Sequence, residues 1–168
     1  MAIEVREATP DDHEDAGRVT ALAYREFVRK GDDDWEQYLA RIADVGSRAD
    51  RTTVLVALDD GRVVGSLTLE LEGRVRDEED EEHRPLAPGE AHIRMLGVDP
   101  AARARGVARA MMDGAEARAR AAGKTMMTLN TTRRMKAARA MYERLGYRRT
   151  EDTVFPDGFV LLGYEKRL

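Results

Sequence analysis

From Met95 to Ala108 the chain reads Met-Leu-Gly-Val-Asp-Pro-Ala-Ala-Arg-Ala-Arg-Gly-Val-Ala. An apolar run ends, a short basic turn follows, and an Ala-rich segment begins, which predicts a strand feeding a helix through a tight turn. Backbone N–H groups at a helix start have no partner inside the helix and sit at the positive end of its dipole. Such a turn suits a phosphate. Gly106, without a side chain, lets a ligand approach the backbone closely.

The strand before the turn carries a second signal. Ala91, Ile93 and Met95 alternate with polar residues, and then the apolar phase shifts to Leu96 and Val98. A period of two cannot slip without an extra residue, so a bulge is expected near Met95-Leu96-Gly97. It would bend the strand and free local backbone groups for a ligand.

The remaining segments predict a mixed sheet with packed helices. Ile3 to Arg6 is strand-like. Thr9-Pro10-Asp11-Asp12 reads as a helix start, with Ala16, Val19, Ala23 and Phe27 as the apolar stripe. Trp35, Tyr38, Leu39, Ile42 and Val45 mark one face of a second helix, read as core, with Trp35 or Tyr38 lining a substrate pocket as the alternative. Thr53 to Leu58 and Arg62 to Glu72 are two antiparallel strands around an Asp60-Gly61 hairpin turn. Val107, Met111, Ala115 and Ala119 mark a third helix that Gly123 ends. Thr125 to Thr131 is a strand, Met135 to Leu145 a helix stopped by Gly146, and Tyr147 to Thr150 and Phe159 to Lys166 are closing strands.

At 168 residues, one domain spanning 1–168 is expected. The formal charge of -4 conceals a run of six carboxylates from Asp77 to Glu82, outside which 26 acidic residues face 28 basic ones. That balance offers no broad basic field for nucleic acid. The run itself reads as a solvated loop closing at Pro85 and Pro88-Gly89. With no cysteine, thiolate nucleophiles, disulfides and Cys-ligated metals are excluded. His13, His83 and His92 do not form a metal-ligand spacing, so no metal is expected. The chain lacks both a leader pattern and a long apolar run, from which a cytoplasmic protein without membrane association is expected.

Arg103-Ala-Arg-Gly-Val-Ala108 fits the pattern of Arg or Gln, two residues, Gly, one residue, then Gly or Ala. Downstream lies Ala138-Arg-Ala-Met-Tyr142-Glu-Arg-Leu-Gly-Tyr147. Together these motifs resemble those of the GNAT superfamily of acyl-CoA-dependent N-acetyltransferases, over nearly the whole chain. Neither G-x-G-x-x-G nor G-x-x-x-x-G-K-[ST] occurs, which argues against dinucleotide or ATP use. The resemblance implies the α/β GNAT fold, with a mostly antiparallel sheet of six to seven strands flanked by about four helices. Acetyl-CoA would be the co-substrate, and a small-molecule or protein amine the acceptor. A homodimer stands open.

The resemblance also assigns roles. Main-chain groups of Leu96, Gly97 and Val98 would bind the pantetheine arm and the thioester carbonyl. The turn of Arg103, Ala104, Arg105, Gly106, Val107, Ala108 and Arg109 would hold the pyrophosphate, with Arg side chains adding charge-assisted contacts. A solvated helix start is the plainer reading of those arginines. Tyr142 stands where relatives place the donor that protonates departing CoA thiolate; otherwise it packs against the sheet. Glu90, and His92 where the usual acid aligns, are candidate bases, His92 because imidazole titrates near neutrality. A strand histidine facing solvent is the alternative. Met135 replaces an Asn common among relatives. The reading from a different class is an acyl-CoA-binding sensor or scaffold without turnover.

Overall fold

Asp60 and Gly61 have φ of 50° and 79°, the left-handed pair that a two-residue hairpin turn requires. They join β2 (Thr53–Asp59) to β3 (Arg62–Glu70), with Asp59 opposite Arg62. The computed structural model describes residues 2–27, 34–73 and 84–168. The acidic run and His83 therefore lie outside the described residues.

The other strands are β1 (Glu4–Glu7), β4 (Glu90–Val98), β5 (Met126–Thr131), β6 (Arg148–Arg149), β7 (Thr153–Val154) and β8 (Val160–Arg167). They form one sheet in the order β1-β2-β3-β4-β5-β8-β6, with β7 paired to β8. β4 and β5 run parallel, whereas β1 with β2, β2 with β3, and β8 with each of β5, β6 and β7 are antiparallel. Eight strands exceed the six to seven expected because β7, two exposed residues, carries no hydrophobic periodicity. Four helices are described, α1 (His13–Arg25), α2 (Asp34–Ala43), α3 (Val107–Ala121) and α4 (Lys136–Arg144).

Two compact units divide the chain, Met1–Leu69 with Met95–Ala117, and Glu70–Arg94 with Arg118–Leu168. In the first, Ala16 and Val19 of α1 pack with Val45, Val54, Val56, Leu58 and Val63. Pro10–Asp12 forms a 3-10 turn, so α1 starts at His13, three residues later than the capping pattern predicts. Asp12 Oδ2 accepts from the N–H of Thr9 at 2.7 Å, and its carboxylate pairs with Arg6. The Arg6 hydrogen bond, the largest influence, holds the Asp12 carboxyl down at about 2. Phe27 lies beyond α1 and Val45 beyond α2, which shortens both stripes.

Tyr38 packs against Leu39, Ile42 and Met95, in line with the core reading of that face. Where α1 meets the end of α2, a Cβ on Gly17 would sit 2.0 Å from the carbonyl oxygen of Ala43. Backbone cannot yield as a side-chain tip can. Gly17→Ala is therefore expected to destabilise the protein by about 1–3 kcal/mol, read as a fall in the urea midpoint. An unchanged midpoint would show that the two helices separate freely.

In the second unit α3 ends on Gly123, φ 76°, where Lys124 N–H reaches Ala119 C=O and Gly123 N–H reaches Arg120 C=O, each at 2.9 Å. These two bonds form a Schellman motif, which satisfies carbonyls that the helix leaves open. Gly146, at φ 91°, follows α4 as expected. Tyr142, Tyr147 and Tyr164 are buried, with the Tyr142 centroid 6.0 Å from each of the other two.

Candidate active site

Met95 has φ of 53° in the middle of β4, in the left-handed region that an unbranched but bulky residue enters only at a cost. It lies where the apolar phase slips, at the position where the bulge is expected. The Met95 side chain turns into the cluster of Leu39 and Ile42. Leu96 and Val98 are half-buried and Gly97 is buried. Gly97 has a packing reason of its own, since a Cβ there would lie 3.1 Å from Ala23 Cβ and 3.2 Å from Thr20 Cα of α1. The ladder between β4 and β5 covers Glu90↔Met126 to Ile93↔Leu129.

Asp99 closes the strand and opens the turn. Its N–H donates to Val64 C=O at 2.8 Å, and its buried carboxylate accepts from Ala101 N–H at 2.9 Å. Pro100–Ala102 follows as a 3-10 turn. Ala104 and Gly106 then take φ of 61° and 80° before α3 begins at Val107. The Ala110 N–H bonds back to Gly106 C=O, which leaves the N–H groups of Val107, Ala108 and Arg109 ahead of the first helical bond. Gly106 has no side chain with which to cap them.

A Cβ on Gly106 would meet no heavy atom within 4 Å among the described residues, so packing does not demand this glycine; its backbone angle does. Val107 and Met111 flank Gly65 of β3, where a Cβ would sit 2.6 Å from Met111 Sδ and 3.0 Å from Val107 Cγ1. That close approach seats the start of α3 on the sheet.

Two of the three arginines carry ion pairs. Arg103 pairs with Glu26 at 2.5 Å and Arg105 with Asp59 at 2.6 Å, so both guanidinium groups already hold carboxylates. Both residues nonetheless stay exposed, as a solvated helix start would be. Arg109 is exposed.

In the second unit Glu90 and His92 come together through a residue that no motif marks. The parallel register sets His92 opposite Thr128, and His92 Nδ1 lies 2.7 Å from Thr128 Oγ1. Thr128 Oγ1 donates to Glu90 Oε1 at 2.6 Å. Glu90 also receives Arg84 Nη2 at 2.5 Å, Arg84 Nη1 at 2.9 Å and the Ala87 N–H at 2.8 Å. Burial pushes the Glu90 carboxyl upward, but the hydrogen bonds from Arg84, Thr128 and Ala87, with the Arg84 charge, outweigh it and hold the group down at about 2. Arg94 donates to Glu70 at 3.0 Å in the same unit.

His92 corrects two expectations. It is 2% exposed, so it is not a solvent-facing strand residue. Nor does it titrate near neutrality. Burial, chiefly, then the charges of Arg84 and Arg94, lower it to about 3 against the opposing pull of Glu90. The ring is neutral across the physiological range. Sequence could not show this, because burial on both faces of β4 depends on what covers it.

Tyr142 is 6% exposed and lies in the cluster of Tyr147 and Tyr164, while Tyr164 donates its hydroxyl proton to Glu143 at 2.9 Å. Met135 precedes α4, and its sulfur accepts a hydrogen bond from Thr131 Oγ1 at 3.4 Å. Among the described residues no group of three or more His, Asp or Glu is assembled to hold a metal ion, and no helix is long and apolar enough to cross a membrane.

β4, with its left-handed Met95, runs through the turn into α3 within a mostly antiparallel sheet of an α/β fold. Residues 16–147 match the model of the acetyltransferase (GNAT) family, and the chain belongs to that family. No curated protein matches it by sequence. Among solved structures it is similar to the PaiA N-acetyltransferase of Thermoplasma acidophilum in complex with coenzyme A. That likeness has a TM-score of 0.73 at 18% identity, over 100% of each chain. It is also similar to yncA of Salmonella typhimurium, solved with its cofactor acetyl-CoA, at TM-score 0.66 and 18% identity over 100% of this chain and 95% of that one. A third likeness is to the ribosomal-protein-alanine N-acetyltransferase of Brucella melitensis, at TM-score 0.68 and 20% identity over 98% and 99% of the two chains.

Proposed function

We propose that this acetyltransferase moves an acetyl group from acetyl-CoA to a primary amine by direct attack in a ternary complex, with residues 1–168 acting as one N-acetyltransferase domain. The observation that carries this reading is the left-handed Met95 in β4, followed by the uncapped N-terminus of α3. Backbone of Leu96, Gly97 and Val98 binds the pantetheine arm, and the Val98 N–H meets the oxyanion that forms as the amine adds to the thioester. The Arg103 to Arg109 turn holds the pyrophosphate through main-chain N–H groups of Arg103, Ala104, Arg105, Gly106, Val107, Ala108 and Arg109. Because Arg103 and Arg105 are ion-paired to Glu26 and Asp59, backbone and helix dipole supply most of that attraction. Relatives crystallised with coenzyme A and acetyl-CoA support the choice of co-substrate.

Tyr142 protonates the departing thiolate. His92 and Glu90 serve the amine. A ring held at about 3 does not strip a proton from an ammonium ion, so the acceptor enters as the free amine. Its attack generates an acidified N–H on the tetrahedral adduct, and His92 takes that proton. Glu90, locked to Arg84 and Thr128, orients this apparatus.

The acceptor is a small-molecule amine or a protein amine. A panel of both, assayed with acetyl-CoA by release of free CoA thiol, tests the proposal; acetyl-CoA binding with no thiol release from any amine would identify a non-catalytic sensor instead. For the turn, Gly106→Val places a β-branched residue at φ 80° in front of the proposed phosphate. It is expected to raise the acetyl-CoA KM roughly tenfold or more with little change in kcat, as lost uniform binding would. An unchanged KM would remove this turn from cofactor binding.

A further inference from the structure

Between Glu90 and His92 the hydroxyl of Thr128 makes two short contacts, and it has one proton to share between them. We propose that Thr128 is a positioning residue that fixes His92 in its Nδ1-protonated tautomer, leaving Nε2 as the nitrogen that receives the proton from the amine. This rests on the reading of His92 as the proton acceptor.

The assignment follows from counting donors. Glu90 receives two guanidinium N–H groups of Arg84, the Ala87 N–H and the Thr128 hydroxyl, so its carboxylate is an acceptor on every contact. The contact of 2.6 Å between Thr128 Oγ1 and Glu90 Oε1 therefore needs the threonine proton. The other acceptor within reach of that proton, Ala91 C=O, is 3.5 Å away and does not compete. With its proton committed, Thr128 Oγ1 meets His92 Nδ1 at 2.7 Å through a lone pair, so Nδ1 must bear hydrogen. The opposite tautomer would set two lone pairs against each other at that distance. A neutral imidazole protonated at Nδ1 carries its lone pair on Nε2.

The geometry comes from register. His92 and Thr128 are paired across parallel β4 and β5, and Glu90 lies two residues before His92, on the same side of β4. Arg84 holds Glu90 and Arg94 pairs with Glu70, and the charges that act on the ring are those of Arg84, Glu90 and Arg94.

During transfer the amine lone pair forms the new C–N bond while the carbonyl π pair moves to oxygen. The adduct's N–H proton passes to Nε2. Collapse of the oxyanion breaks the C–S bond, and sulfur keeps the pair and takes a proton from Tyr142. Exchange with solvent returns the imidazolium and phenolate to rest. Throughout, Thr128 keeps the Nδ1 proton in place, so one turnover never meets a ring with Nε2 already occupied.

Long-range 1H–15N correlation spectra of the 15N-labelled protein at pH 7 test this directly, with the His92→Gln spectrum assigning His92 among the three histidines. The expected result is the neutral, Nδ1-protonated pattern in the wild type and in Thr128→Ser. In Thr128→Val the Nε2-protonated form should gain population, with kcat lowered at least fivefold at an unchanged acetyl-CoA KM. Where valine disturbs folding, judged by thermal unfolding, Thr128→Ala takes its place. An Nε2-protonated ring in the wild type, or a tautomer indifferent to loss of the hydroxyl, overturns the proposal. A tautomer that shifts while kcat stays level upholds the positioning by Thr128 and removes His92 from the chemistry.

Discussion

Replacing Tyr142 by Phe is expected to lower turnover tenfold or more while leaving acetyl-CoA affinity unchanged. A thiol titrates at about 8.5 and a phenol at about 10, so Tyr142 keeps its proton against the intact thioester, and only as negative charge collects on the sulfur does the transfer come within about 2 kcal/mol of balance. The group thus acts late in the reaction and contributes little to binding of the intact thioester. Phenylalanine keeps the ring that packs with Tyr147 and Tyr164, each at a centroid distance of 6.0 Å, so the aromatic cluster should survive. The comparison needs single-turnover kinetics on a true amine substrate, acetyl-CoA titration and a melting curve for both proteins. Equal turnover would return Tyr142 to the packing reading.

The second large effect is on stability. Between pH 7 and pH 5 the wild type should lose about 2 kcal/mol more folding free energy than His92→Gln. In the unfolded chain the imidazole takes a proton near its ordinary 6.5, whereas in the folded protein it resists until about 3. Above pH 6.5 both states carry a neutral ring and nothing is lost. Below it the unfolded state alone binds the proton, so stability falls with pH until the folded ring also protonates. At pH 5 the loss is governed by the distance from 6.5 and hardly by the folded value, provided that value lies well below 5. Glu90 and Asp12, both depressed to about 2, act in a lower window, losing their contribution as pH drops from about 4.5 towards 2. Urea titrations of the two proteins at both pH values separate these windows. Parallel losses would mean that His92 ionises in the folded state much as it does in solution. In catalysis, an acidic limb near pH 6 to 7 in the rate profile belongs to the acceptor amine or another group, not to His92.

The backbone irregularity at Met95 was legible because a pleated strand shows alternate residues to opposite faces, and a break in that alternation marks the place without reference to any neighbour. The Asp60-Gly61 hairpin and the glycines closing α3 and α4 were legible for a similar reason: each marks a positive φ that is a property of the residue itself. By contrast, β7 was missed because two exposed residues have no period to read. The 3-10 turn before α1 was missed because Thr9-Pro10 signals a helix start without specifying which helix type follows.

In the candidate site the division is sharper. Glu90, His92 and Tyr142 came forward from their place relative to the two motifs, yet their environments did not. Whether a strand histidine is a solvent-exposed base or a buried neutral ring depends on the dielectric and charges around it. Those come from Arg84, Arg94 and Thr128, brought beside it by folding. Thr128 is 36 residues away along the chain and is an unremarkable threonine until strand register sets it opposite His92. The ion pairs of Arg103 with Glu26 and Arg105 with Asp59 were likewise hidden, since each joins segments distant in sequence.

By itself, then, the sequence determined those features that rest on local backbone rules: the phase slip, the left-handed turns, the helix stripes and the bare N–H groups after Gly106. Only the tertiary structure decided which polar groups are buried together, and hence which way protons lie on His92 and Thr128. Protonation depends on solvent exclusion and on charges a few ångströms away, and neither quantity is written in the order of residues.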